Sequence, residues 1–407
     1  MNKQSAICNL KSEIVIVGAG PAGASLACRL AMQNFDVVLI ERERFPRHKL
    51  CGEFISPECL EHFRKLGVVD EMLSVGGDRI SQTIFYAPSG KSVSVPSEWF
   101  GSHQNALSIS RAEMDLRLLE KAKSLGVKVL EETQVVGVLY EDEKICGIKV
   151  KNKSGEIFEI AADLTIDATG RANVLGKLAE KEISRKDAKA QRPKTKNQSP
   201  KLVGFKTHLE NVNLEKGVCE IYFFRGGYGG LSYVENGLAN HCFLVKSEIV
   251  KEFNSDAQQI VEQVIFQNSR ARSAMQDARP VFDWLAVSVD GFGAKNLNPA
   301  PNLLTVGDAA AFIDPFTGSG MLMALESAEI LAQTIAEKSL SFETLAEKYK
   351  LLHRQKFQTR LRVCRIMRSA AFAPFLAKTI ISVLSSSSAA RRILVRSTRQ
   401  SIIESEK

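Results

Sequence analysis

A buried-strand pattern running into three spaced glycines near residue 20, a strand ending in Gly-Asp near residue 308, and alternating short strands between them predict an α/β chain (α+β overall). The first and last of these mark a Rossmann-like dinucleotide-binding domain, the middle an interleaved antiparallel-sheet substrate domain, and a helical tail follows. The expected divisions of the 407 residues are 1–79 (nucleotide domain, first part), 80–105 (substrate-domain hairpin) and 106–180 (nucleotide domain, second part). A basic mobile loop over 181–200, a substrate sheet over 201–295, the closing strand and helix over 296–340, and a basic helical tail over 341–407 complete the chain.

The organising stretch is Ser12 to Arg42. Ile14 to Val17 is a short β-branched run suited to a buried strand. Gly18, Gly20 and Gly23 follow in G-x-G-x-x-G order, with Pro21 and Ala22 opening a small-residue helix. Gly18 allows the tight turn, Gly20 the approach of a pyrophosphate, and Gly23 the close packing of helix on strand. The helix N-terminus then directs free N–H groups at phosphate. A second strand, Val37 to Ile40, ends in Glu41-Arg42, where a carboxylate suits an adenosine ribose. This element alone fits NAD or FAD equally.

Composition excludes several classes. The hydrophobic fraction of 44% and charged fraction of 25% are those of an ordinary globular protein. Eight cysteines lie scattered without a C-x-x-C pair, which argues against a disulfide framework or a metal site and for a reducing compartment. The N-terminal residues lack the apolar core of a signal peptide, so a cytoplasmic protein is expected. From Glu347 onward fourteen Lys or Arg face three Asp or Glu, so the net charge of +8 resides in the tail. Such a tail is a solvated helical face or a contact for an anionic membrane; nucleic acid is not expected as a partner. Its apolar stretch around Phe372, Phe375 and Ile380 is broken by Pro374 and Lys378 and does not span a bilayer.

After Glu41 comes a polar loop, ERFPRHKLCGEFISP, broken by Pro46, Gly52 and Pro57. Cys51-Gly52 suits close approach to a flat ring, while Cys51 also fits a buried small hydrophobe and is only a weak catalytic candidate. Arg47, His48 and Lys49 could meet phosphate or a substrate anion. A helix from Pro57 to Gly67 is expected, then a hairpin over Ile80 to Val95. Ser110 to Glu113 is a capping box that starts a helix. Arg111 in its first turn opposes the helix dipole unless an anion lies nearby. Val127–Leu130, Gln134–Tyr140, Ile145–Lys151 and Ile157–Ile160 read as four short strands, and Leu164 to Gly170 as a parallel strand ending at Asp167. Further strands over Lys201–Leu209, Val218–Phe224, Gly230–Val234 and Asn240–Val245 form a sheet over a pocket; Phe223, Phe224, Tyr228 and Tyr233 suit an apolar substrate or a plain core.

The second landmark runs from Pro299 to Glu337. A buried strand, Leu303 to Val306, ends in Gly307-Asp308. Then come Asp314-Pro315 and Gly318-Ser319-Gly320, and a long helix beginning near Met321. Asp308 can accept from sugar-alcohol hydroxyls, and the backbone N–H groups of 318–321 can meet an anion.

GAGPAGASLACRLA, FPRHKLCGEFISP and GDAAAFIDPFTGSGM together resemble the FAD-dependent oxidoreductases of the para-hydroxybenzoate hydroxylase superfamily, in particular its geranylgeranyl-reductase-like and halogenase-like proteins. The resemblance implies FAD, with Gly18, Gly20 and Gly23 on the pyrophosphate, Glu41 on the ribose, Asp308 on the ribityl chain, Gly320 and Met321 on the flavin carbonyl, Arg111 touching the cofactor and Val135 beside adenine. Ala168-Thr169 stands where hydroxylases of that superfamily carry Asp-Gly, leaving the electron donor open between NAD(P)H and a separate flavin reductase. Tryptophans occur only at 99 and 284, so halogenase signatures are missing. The expectation is a monooxygenase acting on an apolar, lipid- or polyketide-like small molecule. The alternatives are a flavin-dependent reductase of an isoprenoid C=C bond and a non-catalytic flavoprotein serving a partner protein.

Overall fold

The computed structural model describes residues 10–100, 104–186, 202–371, 387 and 391–392. Its seven-stranded sheet carries four strands in the order Lys128–Leu130, Val37–Ile40, Leu10–Val17, Ile157–Asp167, all parallel. The parallel strand Leu303–Thr305 adds to the last of these at Thr165 to Asp167. Lys144–Asn152 and Thr133–Glu141 continue the sheet antiparallel. Two segments expected as separate strands, Ile157–Ile160 and Leu164 onward, are one eleven-residue strand. Ile157 to Ala161 pairs with the meander, while Ile160 to Asp167 pairs with Leu10–Val17.

The β-branched runs bury completely because helices cover them: Ile14 to Val17 and Val37 to Ile40 are all at most 5% exposed. Helix Pro21–Ala31 lies against Gly320–Ile335 and Arg111–Ser124 in one apolar core. A carbon added at Gly23 would sit 1.9 Å from the Gly18 carbonyl oxygen, and one added at Gly307 would sit 2.7 Å from Ala22 Cβ. The two landmark turns are therefore pressed together in space.

The second sheet has eight strands. The order is Arg279–Pro280, Leu202–Glu210, Ala239–Lys246, Gly227–Tyr233, Val218–Phe224, Gln82–Tyr86, Ser92–Pro96, with Leu285–Val289 also on Leu202–Glu210. The hairpin around residue 88 joins this sheet, through a parallel pairing of Gln82–Tyr86 with Val218–Phe224. A small sheet of Phe54–Ile55, Ala106–Ser108 and Asp78–Ile80, not foreseen from the sequence, ties the loop after Glu41 to the base of this unit.

Other departures have simple causes. Helix Val174–Lys186 runs six residues into the expected basic loop, whose remainder lies outside the described residues. Its first turn is held by Asp167, whose Oδ2 accepts from Leu175 N–H (2.8 Å) and Gly176 N–H (3.2 Å). The Asp167 carboxylate thus serves the helix rather than a ligand. Only half of the capping box forms. Ser110 Oγ accepts from Glu113 N–H at 3.2 Å, but the Ser110 N–H donates to Glu235, 2.9 Å away on the second sheet unit. The tail begins as one 30-residue helix, Phe342–Ala371. The apolar tail residues from Phe372 to Leu384 lie outside the described set. Among the described residues no helix is long and apolar enough to cross a membrane.

Candidate cofactor and substrate site

One cavity of about 1200 Å³ opens at the C-terminal ends of four parallel strands, the place where open α/β sheets bind ligands. Its volume exceeds the ordinary range for a single small ligand, roughly 300–1,000 Å³. Val17, Glu41, Ala168 and Val306, at or just past the strand ends, line it.

Gly18, Gly20, Pro21, Ala22, Glu41, Arg42 and Val135 line the cavity on the side of the first glycine turn. Gly18 has φ +105°, and an added carbon there would meet the Ala168 carbonyl at 2.4 Å. Gly20 differs: an added carbon would meet only Arg111 Nη2, 4.0 Å away, so its backbone faces open groove. Gly23 is buried and shapes the turn without lining the cavity. Glu41 Oε2 accepts from Ala19 N–H at 2.9 Å, so the acid at the second strand end also fastens the glycine turn. Arg42 is exposed and paired with Glu43 at 3.2 Å.

Asp308 faces the middle of the cavity. Burial lifts its carboxyl above the usual range, against the pull of Arg171, Lys295 and Arg111. Lys295 Nζ donates to the Asp308 and Arg171 carbonyls at 2.9 and 3.3 Å, bracing the turn. Pro315, Gly318, Gly320 and Met321 line the next section, where helix Gly320–Ile335 begins; Ser319 is buried behind them. An added carbon at Gly320 meets only Ile313 at 3.9 Å. Cys51 and Gly52 line the cavity too, and an added carbon at Gly52 meets nothing within 4 Å. Both glycine-rich stretches and the Cys51 turn thus border one groove.

Sequence reasoning did not find the charged framework along that groove. Arg47, read from the sequence as a residue that could meet phosphate or a substrate anion, donates to Asp115 at 2.8 Å and approaches Glu41 at 3.7 Å. Arg111 forms a bidentate pair with the same Asp115 at 2.9 and 2.7 Å. The anion that offsets Arg111 in the helix first turn is therefore its own i+4 neighbour. Burial opposes the Arg111 charge, but Asp115 and the Cys51 thiol hold its proton more firmly than usual. Its backbone N–H donates to Glu53 at 2.7 Å. Lys206 and His208, from the strand Leu202–Glu210, complete the series on Glu53. His48 is exposed and stacks on Phe282.

Beyond the Cys51 turn the cavity becomes apolar. Phe85, Val93, Val95, Ile221, Phe223 and Phe316 line this arm. Tyr228 donates to Asp314 Oδ1 at 2.6 Å and so joins the substrate sheet to the loop before Gly318. Phe224 and Tyr233 pack instead into the core behind the sheet. Of the four aromatics singled out in the sequence, two face the cavity. Burial pushes the Cys219 and Cys242 thiols up to about 12, which leaves them inert at neutral pH.

The chain matches the family described as FAD binding domain over residues 11–349. Digeranylgeranylglycerophospholipid reductase 2 of Methanopyrus kandleri is 26% identical over 336 residues, covering 81% of this chain and 78% of the relative. Menaquinone reductase of Mycolicibacterium smegmatis is 26% identical over 353 residues, 84% of this chain and 81% of the relative. Squalene epoxidase 1 of Arabidopsis thaliana is 26% identical over 334 residues, 79% of this chain but 58% of the relative. Among solved structures, a geranylgeranyl bacteriochlorophyll reductase-like protein from Thermoplasma acidophilum superposes with a TM-score of 0.75 at 18% identity, over 97% of both chains. The protein belongs to the FAD binding domain family and is an FAD-dependent oxidoreductase.

Proposed function

We propose that the protein reduces a C=C bond in a long, apolar, isoprenoid-like molecule. The observation that carries this reading is the continuity of one cavity from the glycine turns into an arm walled by aromatic and branched side chains. A linear hydrocarbon chain fits such an arm better than a polar metabolite does. The names of two relatives, reductases of a digeranylgeranyl lipid and of menaquinone, support the choice.

In this reading Gly18, Gly20 and the N-terminus of helix Pro21–Ala31 hold the FAD diphosphate, Glu41 and Arg42 flank the ribose, and Val135 borders adenine. Asp308 receives the ribityl hydroxyls. Pro315, Gly318, Ser319, Gly320 and Met321 frame the ring from one side, Cys51 and Arg111 from the other. The residues fit the group: Gly20, Gly52 and Gly320 leave space where any side chain would intrude. Bound FAD supplies two-electron transfer; the chain binds, orients and excludes water. Asp314 and Tyr228 keep the Phe316 ring, 5.2 Å from Tyr228, at the junction of the two arms. Cys51 holds its place through structure, its Sγ accepting from Glu53 N–H at 3.4 Å, and needs no chemical role.

A second reading, oxygen insertion into the same class of chain, is favoured by the squalene epoxidase relative. Anaerobic incubation of the chemically reduced protein with a prenyl lipid separates the two. Gain of two hydrogens by the lipid without oxygen supports reduction. Product formed only in air, carrying labelled oxygen, overturns it.

We also place a peripheral membrane contact at the cavity mouth. Ile366 is 72% exposed, lines the cavity and follows exposed Arg362 and Arg365 on the same helix. An apolar knob among arginines suits an anionic lipid surface. Flotation with anionic vesicles should be lost in Ile366→Asp; unchanged flotation would refute the contact.

A further inference from the structure

The loop after the second strand ends in a residue of uncommon backbone conformation. Glu53 has φ +54°, in the left-handed region that non-glycine residues avoid. Its carboxylate is fully buried yet lines the cavity. One oxygen accepts from Lys206 Nζ and from the Arg111 backbone N–H, the other meets His208 Nε2 at 2.7 Å. Lys206 has no exposure at all, and also donates to the Lys49 carbonyl at 3.2 Å. Asn240 Nδ2 donates to the Cys51 carbonyl at 3.2 Å. Four residues of three elements therefore converge on the turn that borders the cavity.

A lysine and a carboxylate withdrawn from water at one wall of a ligand cavity are costly unless paired, and either alone leaves an uncompensated charge. A plain packing role would be met as well by apolar side chains of similar size. We propose that Glu53 is a positioning residue of the flavin site: gripped by Lys206 and His208, it seats the Cys51–Gly52 turn, and the neutral Glu53–Lys206 pair sets the electrostatic field at the ring. The proposal rests on the ring lying at the Cys51 end of the groove, and is independent of which substrate is reduced or oxygenated.

The field argument has a sign. A reduced flavin carries negative charge, so removing the anion at position 53 while Lys206 stays protonated favours reduction. Removing the cation while Glu53 stays ionised disfavours it. A pure folding role produces no such opposition.

The test is the midpoint potential of the FAD-loaded full chain, measured without substrate. The expected result is a shift to more positive potential in Glu53→Gln, to more negative potential in Lys206→Met, and a value near the parent in the double variant. Lys206→Arg keeps the charge and should hold the parent potential while its thermal midpoint falls; Lys206→Gln removes the charge and serves if Lys206→Met does not fold. Single variants that shift in the same direction, or a folded Glu53→Gln or charge-removing Lys206 variant at the parent potential, overturn the proposal. So does a folded Glu53→Gln that takes up no FAD, since the pair would then serve binding. If the ring lay elsewhere, the potentials would not move but Cys51→Trp would still bind FAD with an unperturbed visible band, which identifies the placement as the failing step.

Discussion

The two sheets build opposite kinds of wall for the same cavity. The seven-stranded unit presents backbone: glycine turns at 18–23 and 318–320, and N–H groups at two helix starts. The eight-stranded unit presents side chains, phenylalanines and a tyrosine on an aspartate, and behind the wall a buried lysine and a histidine grip Glu53. A backbone wall suits a cofactor of fixed shape and depends on absent side chains. A side-chain wall can be re-cut for a new substrate without disturbing the turn geometry next to it.

That contrast breaks first at the glycines. Gly23→Ala puts a carbon 1.9 Å from the Gly18 oxygen and should prevent folding, with little soluble protein. Gly20→Val meets open groove instead and should give a folded, colourless protein. Circular dichroism with flavin absorbance separates the two outcomes; a yellow Gly20→Val protein would contradict the assignment of the diphosphate groove. Asp308→Ala should likewise fold and lose most of its flavin.

On the other wall, Phe223→Asp should retain full FAD while turnover on a long-chain substrate falls by a hundredfold or more, from a desolvated carboxylate in the apolar arm (roughly 3 kcal/mol or more). Loss of flavin in that variant would mean the two arms are not separable.

Acid sensitivity compares the units more gently. Each buries a histidine whose pKa burial lowers from 6.5 to about 4: His241 on the substrate sheet, His353 on the tail helix packed against the cofactor unit. A depressed pKa means the unfolded chain binds the proton more readily. Stability from each is complete above about pH 6.5 and is lost as pH falls toward about 4, by on the order of 3 kcal/mol per histidine. His241→Phe and His353→Leu should each flatten the thermal midpoint over that window. Glu53 works in the same direction at lower pH. Burial alone would raise its carboxyl, yet His208 and Lys206 hold it below 4.5, so its contribution fades only under stronger acid.

The smallest effect belongs to Ser110. Losing its cap to Glu113 in Ser110→Ala should cost about 1 kcal/mol, read as a fall of a few degrees in the melting midpoint with cofactor affinity unchanged.

What was legible in the sequence follows from the same contrast. Glycines, a proline at a helix start and an acid at a strand end act through local backbone rules, so Gly18, Gly20, Glu41 and Asp308 could be read at once, and all four line or brace the groove. Lys206 and His208 alternate with Phe205, Thr207 and Leu209 in one strand, a pattern that reads as a solvated face. It is buried only because a loop 150 residues earlier, at Glu53, covers it, and no local rule reports that. The same reason hides Asp115, which reads as an ordinary helix acid, and Glu235, which displaces Glu113 from the second half of the capping box.

In the proposed reading one cavity holds the cofactor and a hydrocarbon chain, which meet at Cys51. The most direct measurement is a crystal structure of the FAD-loaded protein with a bound prenyl alcohol. It should place the diphosphate on Gly18 and Gly20, the ring between Cys51 and Met321, and the prenyl chain between Phe85, Val95 and Phe223 with a double bond against the ring. A chain bound outside that arm, or a ring turned away from Cys51, would contradict it.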